Sequence, residues 1–293
     1  AISITDFIQS IIIVLGLIIL LVVLLSKTGG LSVVLNEVPS GTFKFFPEGN
    51  AHHIIHWVCA WSVLGLGSIP SQDVFQRTMS SGSAKVAERS CYYAAILYLT
   101  IAMLPLCISL CVKHIYPNEI HGDTQTVLLN MVIQHTPLWV QILFFGSLLS
   151  AIMSTTSSSM LAPAALVSEN IIKPLTNNRF TDKSLLMTTR LSLLVFSAIA
   201  CVMACLNSNI YELVGGSSIL SLVSLFVPMV AALYWKKATS LGALLSMVSG
   251  LSAWFFFEMF PTSLPSMFYA TLISLVGMIL GNYLSAYKLF RQL

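Results

Sequence analysis

Charged side chains are scarce in this sequence. Asp, Glu, Lys and Arg together make up 9% of its 293 residues, hydrophobic residues make up 56%, and the mean hydropathy is +0.87. A soluble domain needs a larger charged surface, so this composition predicts an integral membrane protein surrounded by lipid. The net charge of +3 does not indicate nucleic-acid binding, because the basic residues lie in the loops that border membrane-spanning segments.

The motifs of hydrolytic enzymes are missing. Neither GxSxG nor HExxH occurs, so no enzyme activity is predicted. The six cysteines lie in or beside apolar segments, which favours embedded thiols over a disulfide or metal framework. His52, His53 and His56 form HHIIH at a predicted helix start. His52 and His56 share a helical face, so a zinc pair stays open beside the simpler interpretation as interfacial histidines.

Apolar runs of membrane-spanning length predict an all-α fold with eight transmembrane helices. The predicted spans are residues 5–26, 53–79 with a break, 87–112, 137–165, 184–206, 211–235, 240–259 and 264–286. Most Lys and Arg residues fall in one alternate set of loops and ends. By the positive-inside rule this set is cytoplasmic, so the first span runs outward in a multi-pass protein of the inner (plasma) membrane.

One span carries a row of small and hydroxyl side chains. It reads GSLLSAIMSTTSSSMLAPAALVSE from Gly146 to Glu169. At about 100° per residue, one helical face collects Ser147, Ala151, Ser154 and Ser158, with Thr155 beside it. Such hydroxyls commonly bond to their own helix or permit close helix packing. They also suit a small hard cation, which prefers oxygen ligands, and the residues alone leave both interpretations open.

The second span is irregular. Gly65, Gly67, Ser68 and Pro70 fall in its middle, where proline removes a backbone hydrogen bond. Irregular backbone at that depth lies against protein or a water-filled cavity, which predicts a polar site beside the break. Asp73 and Arg77 lie one turn apart and suit an ion pair; alternatively, Asp73 or Gln72 faces a permeation route.

Four motifs, in this order, resemble those of the sodium/solute symporter family. They are Thr5, Asp6 and Gln9 in the first span, GSIPSQDVFQR at 67–77, SAIMSTTSS at 150–158 and YWKKATSLGA at 234–243. The resemblance covers essentially the whole chain and points to a bacterial member of a choline- and proline-transporter-like branch. It implies a partial leucine-transporter-type inverted-repeat fold, with core helices five to ten and two peripheral helices.

The resemblance also implies a division within a single transmembrane transporter domain, residues 1–293. Residues 1–52 correspond to the end of the first repeat and an outer loop, 53–235 to the second inverted repeat, and 236–293 to the peripheral helices. The sequence does not begin with Met. We therefore expect a fragment that lacks the N-terminal helices of the family, depends on them as partners and does not transport alone.

In the family, a sodium ion is held by a backbone carbonyl and two hydroxyls of the eighth core helix, opposite the first. The matching positions are the Ala151 carbonyl and the Ser154 and Thr155 side chains. Asp6 matches an Asp along the inner sodium route, although an Asp near a helix start also acts as a cap. Sodium is thus the expected bound ion.

The substrate-binding positions of the family match this sequence less closely than its sodium-binding positions do. Leu64, Tyr98 and Val214 stand where sugar symporters use Asn, Lys and Gln, which disfavours a sugar. The motif at 67–77 is nearest the choline branch, but Ser71 replaces its cage tryptophan, so Trp57 and Trp61 are the aromatic substitutes. The cavity candidates are Trp57, Trp61, Ser68, Ser71, Gln72 and Tyr98.

The function that the resemblance implies is sodium-coupled symport of a small polar solute by alternating access. The solute is an amino acid, a choline-like compound or a carboxylate, and no nucleic-acid partner is expected. The alternative is a sensor that uses the same membrane module as the input of a signalling protein. A soluble signalling domain after residue 293 would distinguish the two.

Overall fold

Apolar helices account for nearly all of the architecture. A computed structural model describes residues 2–39, 41–117, 125–176, 181–206 and 209–290, with all their side chains except those of residues 2, 3, 72, 73, 76 and 288–290. The described part is all-helical and contains no strand, as predicted. The helices are α1 Ile2–Thr28, α2 Leu31–Asn36, α3 Ala51–Gly67, α4 Gln72–Met79, α5 Ala84–Ile101, α6 Met103–Ile115, α7 Val127–His135, α8 Leu138–Leu166, α9 Lys173–Leu175, α10 Asp182–Leu206, α11 Ile210–Ser221, α12 Val227–Tyr234, α13 Ser240–Met259 and α14 Ser266–Phe290.

Seven helical stretches of the described chain are long and apolar enough to cross a membrane. They are Ile4–Thr28, Ala84–Ile115, Leu138–Leu175, Asp182–Leu206, Ile210–Tyr234, Ser240–Met259 and Ser266–Tyr287. Each coincides with one of the eight predicted spans. The remaining predicted span, 53–79, is divided into α3 and α4, so the predicted interruption is confirmed.

The interruption occupies residues 68–71. The Ile69 amide donates to the Leu66 carbonyl and the Ser71 amide to the Ser68 carbonyl, both at 3.2 Å, which makes tight turns instead of α-helical bonds. Gly67 is buried against the Ser218 backbone of α11, and a Cβ there would overlap the Ser218 carbonyl oxygen. Gly67 therefore serves close helix packing, whereas Gly65 has open space around it.

The chain forms two compact units. Unit 1 comprises Ala1–Phe43 and Gln76–Leu206. Its core joins side chains of α1, α2, α6, α7 and α8: Leu20, Leu24, Val34, Ile108, Met131 and Phe144. Close packing of these side chains holds α1 against α6 and α8.

Unit 2 comprises Lys44–Phe75 and Asn207–Leu293. Small residues let α13 and α14 approach closely, since a Cβ on Gly281 would meet the Gly242 backbone, and the buried Ser246 and Ser274 hydroxyls are 2.9 Å apart. Asn282 accepts hydrogen bonds from the amide and hydroxyl of Thr239. These polar contacts were not predicted from the apolar pattern.

Two long helices contain wide, π-helical turns. One, Val167–Ile172, connects α8 to α9, and the other, Leu222–Phe226, connects α11 to α12. The first lies near the end of the membrane-length stretch Leu138–Leu175, and the second lies just past the middle of Ile210–Tyr234. The Ser224 hydroxyl in the second turn donates to the Leu220 carbonyl at 2.6 Å, which satisfies one acceptor of the widened backbone.

Candidate functional site

The close approach of α1 to α8 positions the hydroxyl-bearing face. Gly16 lies so near Ser147 that an added Cβ would be 2.5 Å from the Ser147 Oγ. Ser147 is buried and donates to the Phe144 carbonyl at 2.8 Å, which is a back-bond within its own helix. The small-residue face of α8 therefore serves helix packing at this level, one of the two interpretations left open by the sequence.

Farther along α8, the same face makes a polar contact with α1. The Ser154 hydroxyl donates to the Asp6 carboxylate, with 2.7 Å between Oγ and Oδ1. The other carboxylate oxygen, Oδ2, lies 3.2 Å from Nη2 of Arg77. Arg77 Nη2 also donates to the Ser158 hydroxyl at 2.5 Å, and Ser158 donates to the Ser154 carbonyl at 2.9 Å. We call these four residues the Asp6 network.

Burial within the Asp6 network decreases from the carboxylate to the guanidinium. The Asp6 side chain is 21% exposed and that of Arg77 is 57% exposed, while Ser154 and Ser158 are half-buried. A carboxylate that is mostly shielded from water holds its hydrogen-bond donors more strongly than an exposed one. Asp6 is therefore the centre of the network, and Arg77 approaches it from the more exposed side.

Arg77 forms an ion pair that the sequence did not predict. Its guanidinium contacts Asp6, which is 71 residues away. The partner that the sequence suggested was Asp73, one turn earlier on the same helix. The side chains of Asp73 and Gln72 lie outside the described ones, so both the Asp73–Arg77 ion pair and the permeation-route alternative stay predictions. A helical-spacing rule finds partners within one helix only, which is why it did not find Asp6.

The proposed sodium ligands occupy just over one turn of α8. Ala151 and Ser154 are half-buried and Thr155 is exposed. The Ser154 hydroxyl uses its proton in the bond to Asp6, so both of its oxygen lone pairs stay available. A carbonyl and two hydroxyls are oxygen donors of the kind that a hard cation prefers, and the Asp6 carboxylate lies beside them.

The substrate candidates are divided between the two units. In unit 2, the Trp57 and Trp61 ring centroids are 6.0 Å apart, and the ring of Phe45 is 5.4 Å from each. Phe46 is 5.5 Å from Trp57. We call these four rings the aromatic cluster. The sequence identified both tryptophans, but it missed the two phenylalanines, whose only signal is that they lie close before α3.

The other substrate candidates stand apart from the aromatic cluster in the chain. Ser68 is exposed and Ser71 is half-buried, both within the break between α3 and α4. Gln72 has no described side chain. Tyr98, on α5 of unit 1, is 76% exposed.

Comparison with known proteins identifies the protein family. A family model described as the sodium:solute symporter family matches residues 1–250. The chain belongs to the sodium:solute symporter family. This match confirms the family that the four sequence motifs predicted, and its members are transporters, which agrees with the prediction that the chain is not an enzyme.

Individual relatives of this chain carry transporter names. The high affinity choline transporter 1 of Mus musculus is 29% identical over 204 residues, covering 67% of this chain and 35% of that protein. Two proteins of Bacillus subtilis extend the similarity. The osmoregulated proline transporter OpuE is 28% identical and covers 85% of this chain and 51% of its own length, and the high-affinity proline transporter PutP is 29% identical and covers 94% and 61%.

These matches place the chain in the predicted choline- and proline-transporter-like branch. The family match and the seven membrane-length helices together identify a multi-pass protein of the plasma membrane. The chain spans between about a third and three fifths of the length of these relatives.

Proposed function

We propose that this chain forms part of a symporter that uses the sodium gradient to move a small polar organic solute. Family membership supports sodium-coupled transport as the type of activity. The hydrogen bond from Ser154 to Asp6 supports the assignment of the sodium site to particular residues. A hydroxyl that donates to a carboxylate becomes a more electron-rich oxygen, because the bond polarises its O–H group. Ser154 is thereby oriented and activated as a cation ligand.

Sodium is bound by the Ala151 carbonyl and the Ser154 and Thr155 hydroxyls in this proposal. We assign the opposite wall of the cage to helices that the longer relatives have in addition to the segment matched here. Asp6 contributes negative potential beside the ligands without being one of them, and Arg77 compensates part of that potential. The release of sodium toward the cytoplasm then passes Asp6.

The driving force comes from the ion and needs no covalent step. One elementary charge that crosses the membrane contributes about 2.3 kcal/mol per 100 mV. Sodium and solute bind together near the membrane midplane, and alternating access exposes them to one side and then to the other. The energy of the coupled ion thus concentrates the solute.

We also propose that the chain is divided into the three segments that the family resemblance implies. Residues 1–52 end a first repeat, 53–235 form the second, and 236–293 add peripheral helices. The break at 68–71 falls in the first helix of this second repeat, and family transporters bind their solute beside such interrupted helices.

The solute class follows from the names of the relatives and from aromatic chemistry. Choline and proline, named in those relatives, both carry a positively charged nitrogen with apolar substituents. Aromatic faces attract such a nitrogen, so Trp57 and Trp61 are the proposed recognition residues for a choline-like or amino-acid solute. Ser68, Ser71, Gln72 and Tyr98 are the proposed polar contacts, and a small carboxylate is the third class to test.

Sodium-dependent uptake tests the proposal. Labelled choline, proline and short carboxylates are offered to proteoliposomes that contain the complete gene product carrying this sequence. Ser154→Ala and Thr155→Ala should each raise the sodium concentration for half-maximal uptake by about tenfold, which corresponds to about 1.4 kcal/mol. Ser157→Ala is the matched control, since Ser157 is exposed and donates to the Met153 carbonyl of its own helix. An uptake rate that does not depend on sodium and is unchanged in both variants would overturn the proposal.

A further inference from the structure

Two histidines of α3 converge on one backbone oxygen. His52 and His56 lie one helical turn apart, and their ring centroids are 4.5 Å from each other. The Nε2 atom of His52 is 2.6 Å from the Ser263 carbonyl oxygen, and the Nε2 atom of His56 is 3.2 Å from the same oxygen. Because both distances end on one atom, the two ring nitrogens point into a common space. The sequence predicted the shared helical face but not the oxygen opposite it.

The apolar core beneath the histidines holds both sides of this arrangement. Cys59 of α3 is buried in a cluster with Ala253 of α13 and with Met267 and Ala270 of α14, and Ile55 packs against the same cluster. Ser263 lies in the connection between α13 and α14, whose bounds are Met259 and Ser266. The histidines and their acceptor therefore belong to elements that pack together within unit 2.

We propose that His52 and His56, with the Ser263 carbonyl oxygen, form a binding site for a transition-metal cation of the Zn²⁺ or Cu²⁺ class. Imidazole nitrogen is a preferred ligand of both ions. Ligand atoms of a tetrahedral zinc site lie roughly 3.3 Å apart, given metal–nitrogen distances of about 2.0–2.1 Å. The two observed distances, 2.6 and 3.2 Å, need only small side-chain rotations to reach that spacing.

Metal binding requires that the Nε2 protons of His52 and His56 move elsewhere. A carbonyl oxygen only accepts hydrogen bonds, so each Nε2 that faces Ser263 carries its proton in the absence of metal. A metal ion needs the Nε2 lone pair, so the proton of each neutral ring moves to Nδ1 through solvent, with no net change of charge. A ring that was protonated on both nitrogens releases one proton instead.

The site has fewer side-chain ligands than a structural zinc centre. Within the described ranges, no three His, Cys, Asp or Glu side chains come together as a metal-binding group. Two imidazoles and one carbonyl leave a coordination position for water, so binding is reversible and weaker than in a four-ligand site. Both histidines are exposed on the face that charge distribution assigns to the outside, so a metal ion in the medium reaches them directly.

Occupancy has a structural consequence that does not depend on the proposed transport activity. The metal ion would connect the start of α3 to the connection between α13 and α14 more firmly than the present hydrogen bonds. A ligand that binds only the folded state raises the unfolding temperature. Metal binding and thermal stabilisation are therefore two readouts of one site.

The neighbouring His53 supplies a matched control. It lies between the two proposed ligands in the sequence, but its contact is with Gly49: the nearest carbon of its ring, Cδ2, would be 2.9 Å from a Cβ built there. The His53 ring centroid is 6.1 Å from that of His52, and the rings that reach the Ser263 carbonyl are those of His52 and His56. His53→Ala thus removes a histidine of the same helix start without removing a proposed ligand.

The experiment uses the tag-free full chain in lipid nanodiscs. Zn²⁺ titration by calorimetry should show one site per chain, and His52→Ala and His56→Ala should each weaken it at least tenfold, whereas His53→Ala should change it by less than about twofold. The electron paramagnetic resonance spectrum of bound Cu²⁺ should show coupling to two imidazole nitrogens, reduced to one in each ligand variant.

The variants His52→Gln and His56→Gln separate a loss of metal binding from a loss of folding. Glutamine keeps an amide donor for the Ser263 carbonyl but is a poor ligand for Zn²⁺, so these variants should unfold at the wild-type temperature without metal and lose the metal-dependent increase. Wild-type affinity in His52→Gln or His56→Gln, or an equal loss in His53→Ala, would overturn the proposal. So would a Cu²⁺ spectrum with no imidazole coupling.

Discussion

Asp6 and Ser154 are joined by a 2.7 Å hydrogen bond although 148 residues separate them in the chain. The bond links α1 to the hydroxyl-bearing face of α8, and it sets the direction of the Ser154 hydroxyl proton. A hydroxyl whose proton faces a carboxylate presents its lone pairs elsewhere, which is the orientation that a cation ligand requires. Asp6 therefore acts on the proposed sodium site through Ser154.

Replacing Asp6 with Asn tests this role. The amide keeps a hydrogen-bond acceptor of similar shape but removes the negative charge, so sodium should bind about tenfold more weakly while the helices stay packed. The concentration dependence of sodium-driven uptake measures the change. Ser10→Ala, one turn farther along α1, serves as control, because Ser10 is exposed and donates to the Phe7 carbonyl. Unchanged sodium dependence in Asp6→Asn would refute the role.

Replacing Arg77 with Gln should have the opposite effect. Arg77 shares Asp6 with Ser154, so loss of its charge leaves more of the carboxylate's negative potential for the cation. More than half of the arginine side chain is exposed, so solvent screens the pair and the sodium affinity should rise by only about two- to fivefold. Arg77→Lys should stay near wild type. A weaker sodium affinity in Arg77→Gln would show that Arg77 supports the site instead of competing with it.

Gly67 and Gly65 provide a packing test in a single helix. Ala at position 67 would press its Cβ against the Ser218 carbonyl oxygen of α11, whereas Ala at 65 would meet open space. Overpacking of this kind costs about 1–3 kcal/mol. Thermal unfolding in detergent should therefore occur at a lower temperature for Gly67→Ala and at about the wild-type temperature for Gly65→Ala. Equal behaviour of the two variants would contradict the described contact.

Asn282 anchors the start of α13. Its Oδ1 accepts from the Thr239 amide at 2.9 Å and from the Thr239 hydroxyl at 2.8 Å, and the residue is 8% exposed. Asn282→Leu leaves those donors without their acceptor, which should lower the free energy of unfolding by about 1–3 kcal/mol. Ser285→Ala, at a half-buried position almost one turn later, is the comparison variant. Thermal unfolding that leaves both variants level with wild type would rule out this anchor.

Hydropathy and local chemistry predict much of the fold, because both act over short distances. Seven predicted spans coincide with helices of membrane length, since each helix satisfies its own backbone within lipid. The break before Gln72 is also local, as Pro70 cannot donate to a preceding carbonyl.

Partners that depend on the packing of separate helices could not be predicted in the same way. Arg77 had an acceptable partner one turn away, and only the approach of α1 to α8 brings Asp6 to it. The α13 and α14 sequences appeared to be plain apolar helices, because the Thr239–Asn282 contact depends on how the two helices align. The wide turns at Val167–Ile172 and Leu222–Phe226 have no signature in the apolar pattern either.

Those two wide turns give their helices a way to change length. A π turn holds one residue more than an α turn, so each segment stores an additional residue within an unbroken helix. If the turn at Leu222–Phe226 tightened to α geometry, α12 would rotate by about 100° about its axis and advance by about 1.5 Å. The basic residues Lys236 and Lys237 after Tyr234 would then rotate and move with α12, while α11 stayed in place.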